Sequence, residues 1–443
     1  MRKYFCLLLT IFIILSTSCS KYQDNSSTSP ARPGQGVDTP DQSDSLEDEQ
    51  TIESENLIIW SFYDVEPELK SMIDDALPNT TVDYEIIPFF KMSEKYTSAF
   101  NDGDLPDVFI FSSASMSNFN STNAFVDLSA SPYNAKSMLS DYPKHLKPVF
   151  NSFDNQKLLA LPVKQIPGVT FYRHDIIEEA GFPAEPEELA VYMEDIDNWL
   201  RMAKTFKESG RHIVLNSYDF LLYADLSCNL FDENFNFMRN SDIFIDMMEL
   251  GKTIDKHELA SNDNLIEAND NNSFQTGKTI MFQSSMLDVN SLKEATNGML
   301  DGKWRMTRLP FGLFGWAGSA IATIPAQSQN KEAAWKAIEI LSNNHIEQLS
   351  YIMNSNNVTN VYSDPLFGDQ DIDKLYKTLI DKMPEYQLTP LDEKARIIWW
   401  EEWFDAYSNP STPSATIVNN LHQRVIEELD NDIEIVKKSA PPI

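Results

Sequence analysis

Aromatic rings recur at the ends of apolar runs in this chain. Trp60 and Tyr63 close one run and Tyr218 follows another, while Trp316 sits in GWAGSAIATIP and Trp399, Trp400 and Trp403 crowd into IIWWEEWF. Short polar side chains stand beside them, with Asp64 after the first run, Ser113 and Ser115 after a third, and Asp219 next to Tyr218. Flat rings flanked by Asp, Asn, Gln and Ser suit a ligand with C–H faces and a rim of hydroxyls, because every hydroxyl taken out of water needs a partner. Each ring could equally fill a core. On one helix Trp399 and Trp403 share a face and Trp400 turns away by about 100 degrees, so the three cannot serve one role. For any single serine, a helix cap or a plain turn is as good an account as a ligand contact.

Covalent chemistry finds little support. Gly277, Lys278 and Thr279 mimic the tail of a phosphate-binding loop, but Asn272 stands where its first glycine must be. HExxH and GxSxG are absent, and His145, His174, His212, His257, His345 and His422 are scattered singly, so neither a metal nor another cofactor is expected, and no enzyme. With 67 acidic residues some carboxylate pair is inevitable, which is not evidence for glycoside hydrolysis. Cys6 and Cys19 lie in the leader, leaving Cys228 alone in the folded part without an intramolecular disulfide partner. In LSCNLF it reads as a small buried hydrophobe.

These residues must be positioned by a chain of 443 residues, long enough for two lobes. A net charge of −32 excludes nucleic acid as a partner, since phosphate binding needs a cationic footprint. The acidity keeps the surface soluble and could also steer cationic ligands. Arg2 and Lys3 followed by the apolar run Tyr4–Leu15 make a secretory signal, too short to span a bilayer. Ser20 to Asn56 is Ser, Thr, Asp, Glu, Gln and Pro with almost no large apolar residue, so it should remain a disordered stalk. Folded sequence begins at Leu57 with a strand, a helix over Glu66–Leu77 and an alternating strand over Thr81–Pro88, a βαβ start to a parallel sheet. A helix over Lys91–Asn101 and a buried strand over Val108–Phe111 follow. Ile213–Asn216 reads as another strand, and helices are expected at Tyr192–Ser209, Leu221–Leu230, Ile243–Ile254, Asn330–Leu349, from Ile397, and at the C-terminus. In open α/β sheets ligands lie beyond the strands' carboxyl ends, which brings Tyr63, Asp64, Ser113, Ser115, Tyr218 and Asp219 forward.

Three stretches carry a family resemblance: Lys157 to Pro183 (KLLALPVKQIPGVTFYRHDIIEEAGFP), Phe274 to Met281 (FQTGKTIM) and Gly315 to Pro325. With WRMTRLP at 304–310 and the Asn-Lys-Glu-Ala-Ala-Trp helix start at Asn330, the chain resembles the extracellular solute-binding proteins of ATP-driven sugar importers. The resemblance implies a two-lobed periplasmic-binding-protein-like α/β fold of type II, each lobe a mainly parallel sheet flanked by helices, with the ligand cleft between them. It divides the chain into a signal peptide (1–18), a lipidated tether (19–56), lobe 1 (57–163 plus 318–385) and lobe 2 (164–317 plus 386–443). It places hydrogen-bonding contacts at Gln165 and Asp219, puts Gln283 at the cleft edge as a candidate ligand contact, and sets a cleft ring at Trp316 and at one of Trp399 or Trp400; at Leu287, where the family often has tryptophan, the ring is missing. Thr17 and Ser18 before Cys19 look like a lipobox, with Ser16 where an aliphatic residue is usual. The implied protein is an exported monomer, lipid-anchored on the outer face of the cell membrane or in a periplasm, that captures a sugar and serves the permease subunits of the importer. A polyamine or other cationic solute, served by Asp64 and Asp219, a surface glycan hydrolase and an adhesin remain as alternatives.

Overall fold

The structure, a computed structural model, describes residues 55–263, 265, 272–316, 318–355, 357, 359–407 and 411–439. The signal peptide, Cys19 and the tether as far as residue 54 lie outside the described residues. Strand β1 (Glu55–Ser61) is apolar on both faces, with Leu57 and Ile59 fully buried on one and Trp60 on the other. It therefore takes an inner place in the five-stranded sheet β2-β1-β3-β8-β4, with β2 (Thr80–Ile86), β3 (Val108–Ser112), β4 (Leu161–Lys164) and β8 (Ala320–Thr323). β2 and β3 both pair with β1 in parallel, as the βαβ start requires, and helices α1 (Pro67–Ala76) and α2 (Phe89–Asp102) make the connections. α2 stops where Gly103 takes the left-handed conformation (φ 77°) and returns its N–H to the Ala99 carbonyl.

The second sheet has the order β6-β5-β7, with β5 (Gly168–Arg173), β6 (Met281–Ser285) and β7 (Trp304–Thr307). Here the expectation of a mainly parallel sheet is corrected, because both of its strand pairings are antiparallel. β5 runs away from the junction with the first sheet, whereas β6 ends there with Ser285 opposite Gly168, and β7 also runs back toward it before the chain re-enters the first sheet as β8. A chain that must leave a lobe by the edge through which it entered has to run opposite to its incoming strand. Ile213–Asn216 does not form the expected strand; only His212 bridges, to Thr279, and Asn216 is drawn into a turn with Asp219.

Helices α3 (Ile196–Glu208), α4 (Asp219–Asp225) and α5 (Asp242–Lys256) share one core with α8 (Asp392–Tyr407) and α9 (Ser414–Ser439). The other core surrounds the five-stranded sheet and α6 (Lys331–Asn354) and α7 (Ile372–Lys382), and it continues onto one face of the second sheet through Phe171, Phe282 and Trp304. The sequence groups 318–385 with the first lobe, yet residues 364–370 lie along β7. There Gln370 imitates a strand neighbour, Oε1 accepting from the Met306 N–H (2.9 Å) and Nε2 donating to its carbonyl (2.5 Å).

Candidate functional site

β1 runs parallel to β3, and β3 and β4 are both antiparallel to β8, so the carboxyl ends of β1, β3 and β4 meet at one edge. Tyr63, Asp64, Ser113, Ser115 and Gln165 follow the strands there, and Ser319 leads into β8 at the same edge. Opposite stands the junction edge of the second sheet, Gly168 and Ser285, with α4 packed beside it. The chain passes between the two sheets at 164–168, at 316–319 and again near 384–392.

Tyr63 is buried and its hydroxyl has no partner; burial raises its pKa well above the ordinary tyrosine value, and the nearby Glu66 charge adds to this. Lys164 caps its ring from 4.9 Å and pairs with Glu66. Asp64 is half exposed and already bonded to Lys70 at 2.5 Å. Ser113 is buried, its N–H donating to the Ser319 carbonyl, and Ser115 is partly buried.

Across the junction Tyr218 is partly buried with its ring 6.2 Å from Trp403. Asp219 is buried and its carboxylate accepts from the Asn216 N–H (2.9 Å) and side-chain amide (3.3 Å). Burial still pushes its pKa up to about 7 against those bonds. Asp288 is pushed by burial to about 7 as well, against bonds from Ser284 and the Ser285 N–H. Both charges bear on Tyr223, whose ring lies over Gly168: a Cβ there would stand 3.3 Å from it. Gln283 is buried one step inside the edge with neither end of its amide bonded, directly opposite Thr170, whose hydroxyl is also unpartnered.

Several predicted residues are drawn elsewhere. Trp60 lies between β1 and α2, packed on Tyr96 and Phe109, on the side of the sheet near the edge strand β2 and remote from β4. It floors an open groove of about 590 Å³ bordered by Glu85, Lys91 and Lys95. Trp399 is wholly buried against Phe237 and Phe244, which makes it a core residue of the helical lobe. Trp400 is only partly buried, as the 100-degree offset implies. Trp316 is 4% exposed, its indole N–H donating to the Pro384 carbonyl at 3.3 Å and its ring against Tyr386. Gln165 is bonded at both ends of its side chain by protein partners. Sequence reasoning does not single out Tyr142, Tyr223 or Asp288; each lies in an unremarkable local sequence, and only the tertiary fold brings it to the junction, whereas Ser319 lies in the Gly315 to Pro325 stretch.

Among the described residues no group of three or more His, Cys, Asp and Glu is placed to hold a metal ion, and no helix is long and apolar enough to cross a membrane.

No curated protein matches the chain. Solved structures with the same fold include the galacto-N-biose/lacto-N-biose I-binding protein of an ABC transporter from Bifidobacterium longum in complex with lacto-N-biose, 17% identical, covering 85% of this chain and 97% of that one, TM-score 0.68. A binding protein from B. animalis subsp. lactis in complex with β-1,6-galactobiose is 16% identical over 85% and 98% of the two chains, TM-score 0.67. The sugar-binding protein MalE of Xanthomonas citri is 19% identical over 86% and 99%, TM-score 0.66. At such identities the likeness establishes the two-lobed type II fold. The family model for bacterial extracellular solute-binding proteins matches residues 63–345, and the chain belongs to that family.

Proposed function

We propose that this protein is the capturing component of an ATP-driven importer, closing two lobes on a sugar or oligosaccharide and presenting it to a membrane permease. Support comes from the family together with a fold that covers 97–99% of chains described as binding proteins in complex with lacto-N-biose or β-1,6-galactobiose or, for MalE, as sugar-binding. The junction favours a neutral, hydroxyl-rich ligand over a cation. The two carboxylates that would serve a polyamine are engaged, Asp64 by Lys70 and Asp219 by Asn216. Tyr63, Ser115, Tyr218 and Trp400 remain the ligand contacts we favour, with Ser113 and Gln283 behind them. Capture needs no covalent step: contacts from both lobes shift the protein toward its closed arrangement. The lobe boundaries are those of the sequence, with 364–370 riding on the second lobe, and we place a lipid on Cys19 that tethers the exported monomer by its stalk.

A thermal-shift screen against mono- and oligosaccharides, polyamines and amino acids tests the reading. A ligand at about a hundred times its dissociation constant adds about 2.7 kcal/mol. A shift with one glycan class supports sugar capture, and a shift with polyamines alone overturns it. Cys19→Ala should move the protein to the soluble fraction; continued membrane association would remove the lipid from the proposal.

A further inference from the structure

Gln165 lies on the first crossing and Ser319 on the second, and their side chains are bonded, Ser319 Oγ donating to Gln165 Oε1 at 2.6 Å. The other end of the amide donates to the Tyr142 hydroxyl at 2.7 Å, and the Gln165 carbonyl accepts from the Tyr376 hydroxyl at 3.1 Å. Tyr142 in turn meets His345 Nε2 on α6 at 3.3 Å. Ser319 also accepts from the Ile166 N–H through its hydroxyl and from the Ser113 N–H through its carbonyl. Gln165, Ser319, Tyr142 and His345 are all buried, so these bonds form away from competing water.

A few residues along, the same crossings are held by the other lobe. The Gly168 N–H donates to the Gly315 carbonyl, and the Trp316 N–H to the Leu226 carbonyl. A Cβ on Gly168 would stand 3.1 Å from Leu309, and one on Gly315 3.1 Å from Ser227. The two sets meet at the Ile166–Pro167 linkage on one crossing, where the Ile166 N–H belongs to the Ser319 side and the Pro167 carbonyl accepts from the Met286 N–H of the other lobe, and on the second crossing Gly318 stands next to Ser319. Gly318 has φ 99°, which L side chains rarely adopt, and open space where a Cβ would be.

We infer that Gln165 is a positioning residue rather than a ligand contact. It bolts both crossings to the first lobe, so that lobe rotation is taken up at Ile166, Pro167 and Gly318. The inference rests on capture by lobe closure, and it adds where the rotation occurs and what confines it there. Without the bolt, rotation spreads into Lys164, Gln165 and Ser319, and the lobes sample inter-lobe distances that the intact protein excludes.

The test uses the chain following its leader, with Cys19 and Cys228 replaced by serine and spin labels on cysteines introduced at Lys136 and Lys204, both exposed and on different lobes. Inter-lobe distance distributions are recorded without ligand for the parent, Gln165→Leu, Tyr142→Phe, Gly318→Ala and, as a control, Gly298→Ala, another positive-φ glycine (φ 63°) with open space around it. We expect Gln165→Leu and Tyr142→Phe to broaden the distribution and change the ratio of inter-lobe populations by roughly five-fold, the scale of one buried hydrogen bond. Gly318→Ala should displace the distribution and Gly298→Ala should leave it alone. Should Gln165→Leu fail to fold, Tyr142→Phe removes one oxygen and reads the same bolt. Distributions identical to the parent's in Tyr142→Phe and Gly318→Ala overturn the inference. No ligand is present, so that result would leave sugar capture to its own thermal-shift test.

Discussion

The crossings are fastened in two chemically different ways. At the first two, the fastening is neutral: Gln165, Ser319, Tyr142 and Tyr376 exchange hydrogen bonds between uncharged groups. At the third, it is ionic. Asp225 and Arg239 are fully buried and bonded at 2.7 Å, Arg239 further donates to the carbonyls of Asp225, Cys228 and Asn229, and Arg396 lies 3.8 Å from Asp225 while donating to the Tyr386 hydroxyl at 3.2 Å. Asn229 holds the same segment through the Gln387 N–H and the Glu385 carbonyl. Losing one member of a neutral bolt leaves a dipole unpaired, whereas losing one member of an ionic bolt leaves a charge in a dry site.

The sharpest way to break the comparison is therefore Arg239→Met, which strands the Asp225 carboxylate. We expect a loss of about 3–5 kcal/mol in urea unfolding, the range for breaking a buried ion pair from one side. Arg239→Met with Asp225→Leu should recover a large part of it; a single variant within 1 kcal/mol of the parent would show that the third crossing does not depend on charge.

Trp316 joins the two fastenings, since it sits on the second crossing and bonds to Pro384 on the third. Truncation to alanine removes a buried ring, and we expect about 3 kcal/mol of destabilisation, more than any effect of Trp400→Ala. If instead the melting point holds and only ligand affinity falls, the ring faces a ligand and the hinge role is wrong. Tyr142→Phe comes next, at about 2 kcal/mol, because the ring packing survives and two neutral hydrogen bonds go, those with Gln165 and His345.

How much of this was legible in the sequence depends on how local the cause is. β1 and β3 follow from short buried apolar runs and β2 from apolar alternation, with α1 and α2 between them, and the lobe crossings follow from the family's Pro and Gly punctuation around 162–168 and 315–318. Trp399 could be separated from Trp400 by helical periodicity, but not assigned to core or cleft. The reason is that its neighbours Phe237 and Phe244 lie about 150 residues upstream. Gln165 is legible as a polar residue at the right place, but of its partners only Tyr142 is within 23 residues, while Ser319 and Tyr376 lie 154 and 211 residues downstream. Sequence pattern locates a polar side chain at a junction; whether a ligand or the protein itself satisfies it is decided by contacts of long sequence separation.

Acid should act on the two fastenings in opposite directions. In the neutral one, burial and then the Lys164 charge lower the His345 pKa to about 3, so it folds uncharged. Unfolded, it titrates near ~6.5, so its stability contribution is present above that pH and is lost as pH falls toward 3. In the ionic one, burial raises Asp392 to about 6, against bonds from Thr389 and the charges of Arg396 and Arg239. Its contribution is complete below the unfolded value of ~3.9 and is lost as pH rises through 6, and Asp219 and Asp288 behave alike up to about 7. Between pH 4 and 6.5 one imidazole thus opposes three carboxyls. His345→Gln should make the melting point climb more steeply on going from pH 6.5 to 5 than in the parent, and Asp392→Asn should flatten it. Equal pH profiles in parent and His345→Gln would mean that the imidazole already meets water in the folded protein, and the neutral bolt would then be wetter than its burial shows.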